Sequence, residues 1–195
     1  MPTRPLRGPR SDNRLPQLLD EAARVFGAQG FHSASIRDIV RAVDMLPGSL
    51  YYHFAGKEEL LAAVYAEGVH RISGRVKAAV TVRTEPWARL EAACVAHLEA
   101  LLDESDYAQV VVRVRPSDAP AVATKLVALR DGYERLFVEL IAALPLPRRV
   151  DRKSLRLMLL GALNWSQNWY RQGGDDPATI ARRFVALLRA PLAKE

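Results

Sequence analysis

The sequence predicts an all-α protein of two helical units, a small N-terminal one and a larger one, joined by a long helix. Three observations predict it. Apolar residues recur at three- and four-residue spacing through nearly the whole chain, which is the period of one helix face. Alternating apolar–polar runs are absent; residues 110–114 look strand-like, but their neighbours read as helix. Proline and glycine fall between the periodic segments, where helices start and stop.

The first segment, residues 13–29, keeps Leu15, Leu18, Leu19, Ala22, Val25 and Phe26 on one face, and Gly30 stops it. The second, residues 35–43, opens on Ser35, a good N-cap residue, with Asp38 placed to complete a capping box. Ile36, Ile39, Val40 and Val43 face inward and Asp44 breaks the pattern. A short third helix covers residues 47–54, and Lys57 opens a long fourth one to about residue 80. Pro86 suits the first helical position of the fifth, whose stripe is Trp87, Leu90, Cys94, Leu98 and Leu101. A sixth spans residues 105–115. Asp118 is expected to cap a seventh that runs to residue 144 with a near-heptad stripe, Val122, Leu126, Leu129, Tyr133, Leu136 and Leu140. The eighth, residues 153–171, is apolar nearly all round between Leu155 and Leu163, so more than one neighbour must bury it. Asp176-Pro177 starts the last helix.

Composition excludes several classes. The 195 residues contain no 18-residue apolar run, so a spanning helix is not expected. Arg4, Arg7, Arg10 and Arg14 are followed by no apolar block, unlike a secretory signal, and a cytoplasmic protein is the simplest reading. Cys94 is the sole cysteine, so no internal disulfide can form. His32, His53, His70 and His97 show no metal-ligand spacing, and Cys94 with His97 one turn on reads as packing rather than a nucleophilic couple. No cofactor motif is present, and an enzyme is not expected. The net charge is +6, and residues 1–57 hold eight Lys/Arg against five Asp/Glu. A basic balance favours polyanion partners.

The stretch MLPGSLYYHF, residues 45–54, gives that charge a setting. A capped helix, a tight break at Asp44-Met45-Leu46 and a short helix make the helix-turn-helix pattern, whose second helix enters the major groove of DNA. Leu50 and Phe54, four apart, turn to the core. Pro47, Gly48, Ser49, Tyr51, Tyr52 and His53 are left for the outer face. Gly48 admits close backbone approach, tyrosine hydroxyls reach phosphate oxygens, and Lys57 at the next helix start suits a phosphate. Two packed helices with no DNA role fit the pattern alone equally well. The polar outer face together with a basic arm favours DNA.

The run FHSASIRDIVRAVDMLPGSLYYHFAGKEEL, residues 31–60, resembles the DNA-binding domain of tetracycline-repressor (TetR) family regulators, most specifically in GSLYYHF-GKEEL. The resemblance implies a homodimer that binds palindromic double-stranded operator DNA with its N-terminal three-helix domain, residues 1–57, and an effector and its partner copy with residues 58–195. It implies Ser35, Pro47, Gly48, Ser49, Tyr51, Tyr52, His53 and Lys57 as the DNA-facing set. Asp44 stands where the family usually has Gly, and Leu46 where Ser or Thr commonly caps the recognition helix. The arm with Arg7 and Arg10 is placed to enter the minor groove.

The run LLGALNWSQNWYRQGG, residues 159–174, is similar to the penultimate helix of a subgroup that senses acyl-CoA thioesters and includes actinobacterial steroid-catabolism repressors. Trp165 and Trp169 share a face and would line the acyl path, although each alone fits core or interface as well. Arg148, Arg149, Arg152 and Arg156 suit the phosphates of coenzyme A, or else form a solvated basic face. Tyr133, Leu136, Leu140, Leu155 and Leu159 are the expected dimer interface. The function expected is a repressor released by a hydrophobic acyl-CoA-type effector. The alternatives are an efflux-gene regulator sensing aromatic or cationic drugs, and a helical carrier or enzyme that binds no DNA.

Overall fold

A computed structural model describes residues 14–103 and 105–192. Among these, nine α-helices form and no strand does: α1 (Leu15–Gln29), α2 (Ile36–Ala42), α3 (Pro47–His53), α4 (Lys57–Thr81), α5 (Pro86–Leu101), α6 (Asp106–Arg113), α7 (Ala123–Ala142), α8 (Arg152–Trp169) and α9 (Pro177–Leu192). The all-α expectation holds, with ends within a residue or two of the periodic pattern except at α7. There, Pro116 and Pro120 open two short 3-10 turns, Pro116–Asp118 and Pro120–Val122, and the helix begins only at Ala123. Asp118 caps nothing in α7; its carboxylate accepts from the Arg115 backbone N–H at 2.8 Å. Proline lacks the N–H that a helix interior needs, so the pair delays the start.

Local chemistry sets the other ends. Gly30 ends α1 at φ 78°, a left-handed conformation that glycine takes without strain. Glu85 caps α5 through Ala88 N, and Asp176 accepts from Thr179 N in the first turn of α9. Asp151 caps α8 by accepting from Lys153 N and from Ser154 Oγ. Ser35 stands at the N-cap of α2, but its side chain makes no cap hydrogen bond, so the expected capping box does not form.

Two apolar cores result. The first gathers Leu18 and Phe26 of α1, Ile39 and Val40 of α2, Leu50 of α3, and Leu60, Leu61 and Val64 of α4. Tyr107 and Val110 of α6 and Leu126 of α7 close it. The second joins Val76 and Val80 of α4 to Leu90 and Leu98 of α5, Phe137 and Ile141 of α7, Leu159 and Leu163 of α8, and Val185 of α9. The helix α4, about 37 Å long at ~1.5 Å per residue, contributes to both.

Contact between α6 and the N-terminal unit is close because glycine stands at both touching points. A Cβ on Gly27 of α1 would lie 3.2 Å from the Asp106 carbonyl oxygen. One on Gly68 of α4 would lie 2.6 Å from Val111 Cγ2 and 3.0 Å from the Tyr107 carbonyl oxygen. Polar contacts reinforce the seam: Tyr107 OH donates to Asp20 at 2.9 Å, Arg113 donates to the Gly27 carbonyl at 2.8 Å, and Arg71 lies over the Tyr107 ring.

Candidate nucleic-acid interface and effector cavity

The turn between α2 and α3 is a Schellman motif. Met45 N–H reaches back to the Val40 carbonyl at 2.8 Å and Asp44 N–H to that of Arg41 at 3.2 Å. Asp44 takes the left-handed position, at φ 51°, where glycine is the usual residue; aspartate tolerates that region better than most. Its carbonyl accepts from Arg14 at 2.7 Å, which ties the turn to the start of α1. Leu46 precedes α3 without any side-chain cap, and 76% of it is exposed.

Helix α3 divides as its sequence suggests. Leu50 is fully buried and Phe54 packs against the first core. Gly48, Ser49, Tyr51, Tyr52 and His53 are exposed on the outer side, Tyr52 to 86%. A Cβ on Gly48 would meet nothing within 4 Å, so the protein's own packing does not require glycine there. Pro47 stands at the first helical position, and Ser35 is half-buried at the start of α2. Arg7 and Arg10 lie outside the described residues.

Lys57 differs from its expected role. Its ammonium donates to the carbonyls of Ala34 at 2.9 Å and His32 at 3.2 Å and sits 4.6 Å from the Phe31 ring centroid. Two of its three donors are thus spent on the α1–α2 turn. It positions α2 and keeps one N–H.

A second site lies inside the larger unit. A cavity of about 220 Å³ opens between α4, α5, α6, α7 and α8. Tyr65, Val69, Ile72, Leu101, Val111 and Leu160 supply its apolar wall. Its polar end is a chain of three side chains: His97 Nδ1 lies 2.6 Å from Tyr133 OH, and His97 Nε2 lies 3.0 Å from Asn164 Oδ1. His97 is buried, and burial pulls its pKa down to about 4, so the imidazole is neutral near pH 7. Burial also raises the Tyr133 phenol. Cys94 on the same helix is fully buried with its thiol pushed up to about 12, which makes it an inert packing residue.

The residues expected to hold the effector are placed elsewhere. Arg152 donates to the carbonyls of Ile141 and Leu144 and so caps the C-terminal end of α7. Arg156 pairs with Glu134. Arg148 and Arg149 are exposed on the α7–α8 turn. Trp165, 65% exposed, points outward, and Trp169 packs beside Phe184 of α9 in a separate shallow groove. None of these six lines the cavity. Charge and aromatic clusters are visible in a sequence, but the carbonyls and carboxylate that claim the arginines come from other segments. The residues expected at the dimer interface lie largely within the protomer. Leu140, Leu155 and Leu159 are buried in the protomer's own core, Leu136 flanks a groove with α4, and Tyr133 belongs to the cavity. The exposed apolar face of α8 is instead Leu157, Met158 and Trp165. His97, Tyr133 and Asn164 were not read as one cluster. The available signal was a histidine on a buried stripe, which must find polar partners.

Comparison with known proteins assigns both parts of the chain to one family. A model described as "Bacterial regulatory proteins, tetR family" matches residues 18–64, and one described as "Tetracyclin repressor-like, C-terminal domain" matches residues 83–192, more than half of the chain. The chain is similar to the HTH-type transcriptional repressor KstR2 of Mycobacterium tuberculosis, 26% identical over 193 residues that cover 94% of this chain and 95% of the relative. Among solved structures it is similar to superantigen PfiT, with a TM-score of 0.79, 28% identity and coverage of 93% of this chain and 97% of that one. In fold it also matches AibR in complex with isovaleryl coenzyme A and operator DNA, with a TM-score of 0.74, 23% identity and coverage of 89% and 97%. No helix among the described residues is long and apolar enough to cross a membrane. The two matched domains together make the chain a member of the TetR family of bacterial regulatory proteins, a regulator and not an enzyme.

Proposed function

We propose that the protein is a homodimeric repressor that reads a palindromic operator with α3 and is released by a compact hydrophobic acyl group, delivered as its coenzyme A thioester, in the cavity. Residues 1–57 form the DNA-reading unit and 58–195 the effector and dimer unit. The outer face of α3 carries the reading: Ser49 and the Gly48 backbone are the base-reading candidates, and Tyr51, Tyr52 and His53 the phosphate-facing ones, with Ser35 at the start of α2. Similarity to the repressor KstR2, and to the fold of AibR with isovaleryl coenzyme A, supports the sign and the effector class. The cavity refines the effector's size. Its volume of about 220 Å³ falls below the ~300–1,000 Å³ of drug-sized sites, which favours a short or single-ring acyl group over a polycyclic one. Charge argues against a cationic drug, because Glu134 on the cavity wall is already paired with Arg156.

Release requires that the effector bind the released state more tightly than the DNA-bound one. The test is an anisotropy titration on DNA upstream of the protein's own coding sequence. Gly48→Ala should leave the melting temperature unchanged or higher, because the added Cβ is unopposed, yet weaken operator binding at least tenfold. Compact acyl-CoA thioesters should dissociate the complex where coenzyme A alone does not. Unchanged affinity in Gly48→Ala would displace the DNA-reading surface, and no release by a broad thioester panel would remove the acyl-CoA reading.

A further inference from the structure

The polar end of the cavity has a definite hydrogen-bonding sense. The Asn164 oxygen that faces His97 Nε2 can only accept, so Nε2 carries the imidazole proton. Nδ1 is then an acceptor, and Tyr133 OH donates to it. Left over are the Asn164 amide N–H groups and a lone pair on the Tyr133 oxygen. The opposite tautomer with the amide reversed would leave the Tyr133 O–H and the Asn164 oxygen. In both cases the cluster offers one donor and one acceptor and carries no charge.

We propose that the His97–Tyr133–Asn164 chain is the recognition point for a neutral carbonyl oxygen of the effector, and that it discriminates against a carboxylate. This rests on the reading of the cavity as the effector site. The carbonyl oxygen accepts from the Asn164 amide, while the hydrocarbon lies against Ile72, Leu101, Val111 and Leu160. A carboxylate in the same place would gain no counter-charge from the cluster, and on the side turned towards buried His97 it would give up water, which is costly. His97 is held neutral by burial and has both ring nitrogens engaged. The basic group on the wall, Arg130, is exposed and near Asp131 and Glu134. Tyr133 and His97 also stack, with centroids 5.7 Å apart, and both contact Phe137 edge-on, so these two rings are held in place.

The experiment uses the whole protein without DNA, so that it reads binding and not release. Cyclohexanecarboxamide and cyclohexanecarboxylate, which share a ring and differ in charge, are titrated by calorimetry at pH 7.5. The amide is expected to bind at least tenfold more tightly. Asn164→Ala, a substitution at an exposed position, should abolish that preference, and Tyr133→Phe should reduce it while the melting transition stays cooperative. Equal or tighter binding of the carboxylate overturns the proposal, as does an amide preference that survives Asn164→Ala, or no binding of the amide. Selective binding without operator release would instead count against the repressor mechanism alone.

Discussion

Burial holds His97 neutral at pH 7, and that makes it a measurable liability in acid. Its folded pKa, about 4, lies below the 6.5 of an exposed histidine. Between those values the unfolded chain binds a proton that the folded protein refuses. The associated stability is therefore complete above about pH 6.5 and is lost as the pH falls towards 4. The difference is worth roughly 3 kcal/mol at most. Urea midpoints of the wild type and His97→Gln, compared from pH 7.5 to 4.5, should converge by an amount of that order. Parallel decline of the two would mean that the imidazole titrates normally. Residues of this kind show what a sequence conceals. That His97 lies on an apolar stripe was legible; that Tyr133, 36 residues on, and Asn164, 67 residues on, would meet it was not. Lys57 and Arg152 follow the same logic in reverse. Each looks free in sequence, and each is committed to main-chain carbonyls of a segment that folding brings alongside.

Helix positions were legible because a 3.6-residue period needs only local sequence, and the recognition helix because its turn chemistry is local too. The role of α6 was not legible, since it depends on how near two backbones come. Val111 and Val112 of α6 face the cavity, while Tyr107 and Arg113 hold it against α1. The same short helix thus touches the cavity and the N-terminal unit. Gly68 sets its distance from α4. Gly68→Ala places a methyl group 3.0 Å from a backbone carbonyl, so α6 must shift, at a cost of about 1–3 kcal/mol. Gly74→Ala, two turns on in α4, meets nothing within 4 Å and should gain about 0.5–1 kcal/mol from helix propensity alone. Thermal unfolding of both variants separates the effects. Destabilisation by both would point to a general intolerance of α4 rather than to the α6 contact.

At the scale of the whole molecule, an apolar surface on α8 is exposed among the described residues. Met158 and Trp165 are exposed on α8, seven residues apart, and Gly161 and Ala162 between them are exposed and small. Leu157 borders them, and Leu187 is exposed on α9. Seven residues is nearly two helical turns, so large, small, small and large side chains fall along one face, and a second helix could approach closely over the small ones. The apolar character of residues 155–163 divides accordingly: Leu155, Leu159, Leu160 and Leu163 serve the protomer's core, and the opposite side would meet a second copy in the proposed dimer. The proposed dimer therefore uses outward residues of α8 and α9. Met158→Arg with Trp165→Glu should yield a monomer that melts like the wild type, because neither side chain contributes to the core. Operator affinity should fall by about a hundredfold or more, since the second half-site would lose its tethered partner. Leu140→Arg should behave differently. It buries an unpaired charge in the protomer and should cost roughly 3 kcal/mol or more of stability whatever the assembly state. Sedimentation velocity and thermal melts of the two variants distinguish the outcomes. A double variant that remains dimeric would move the interface off α8.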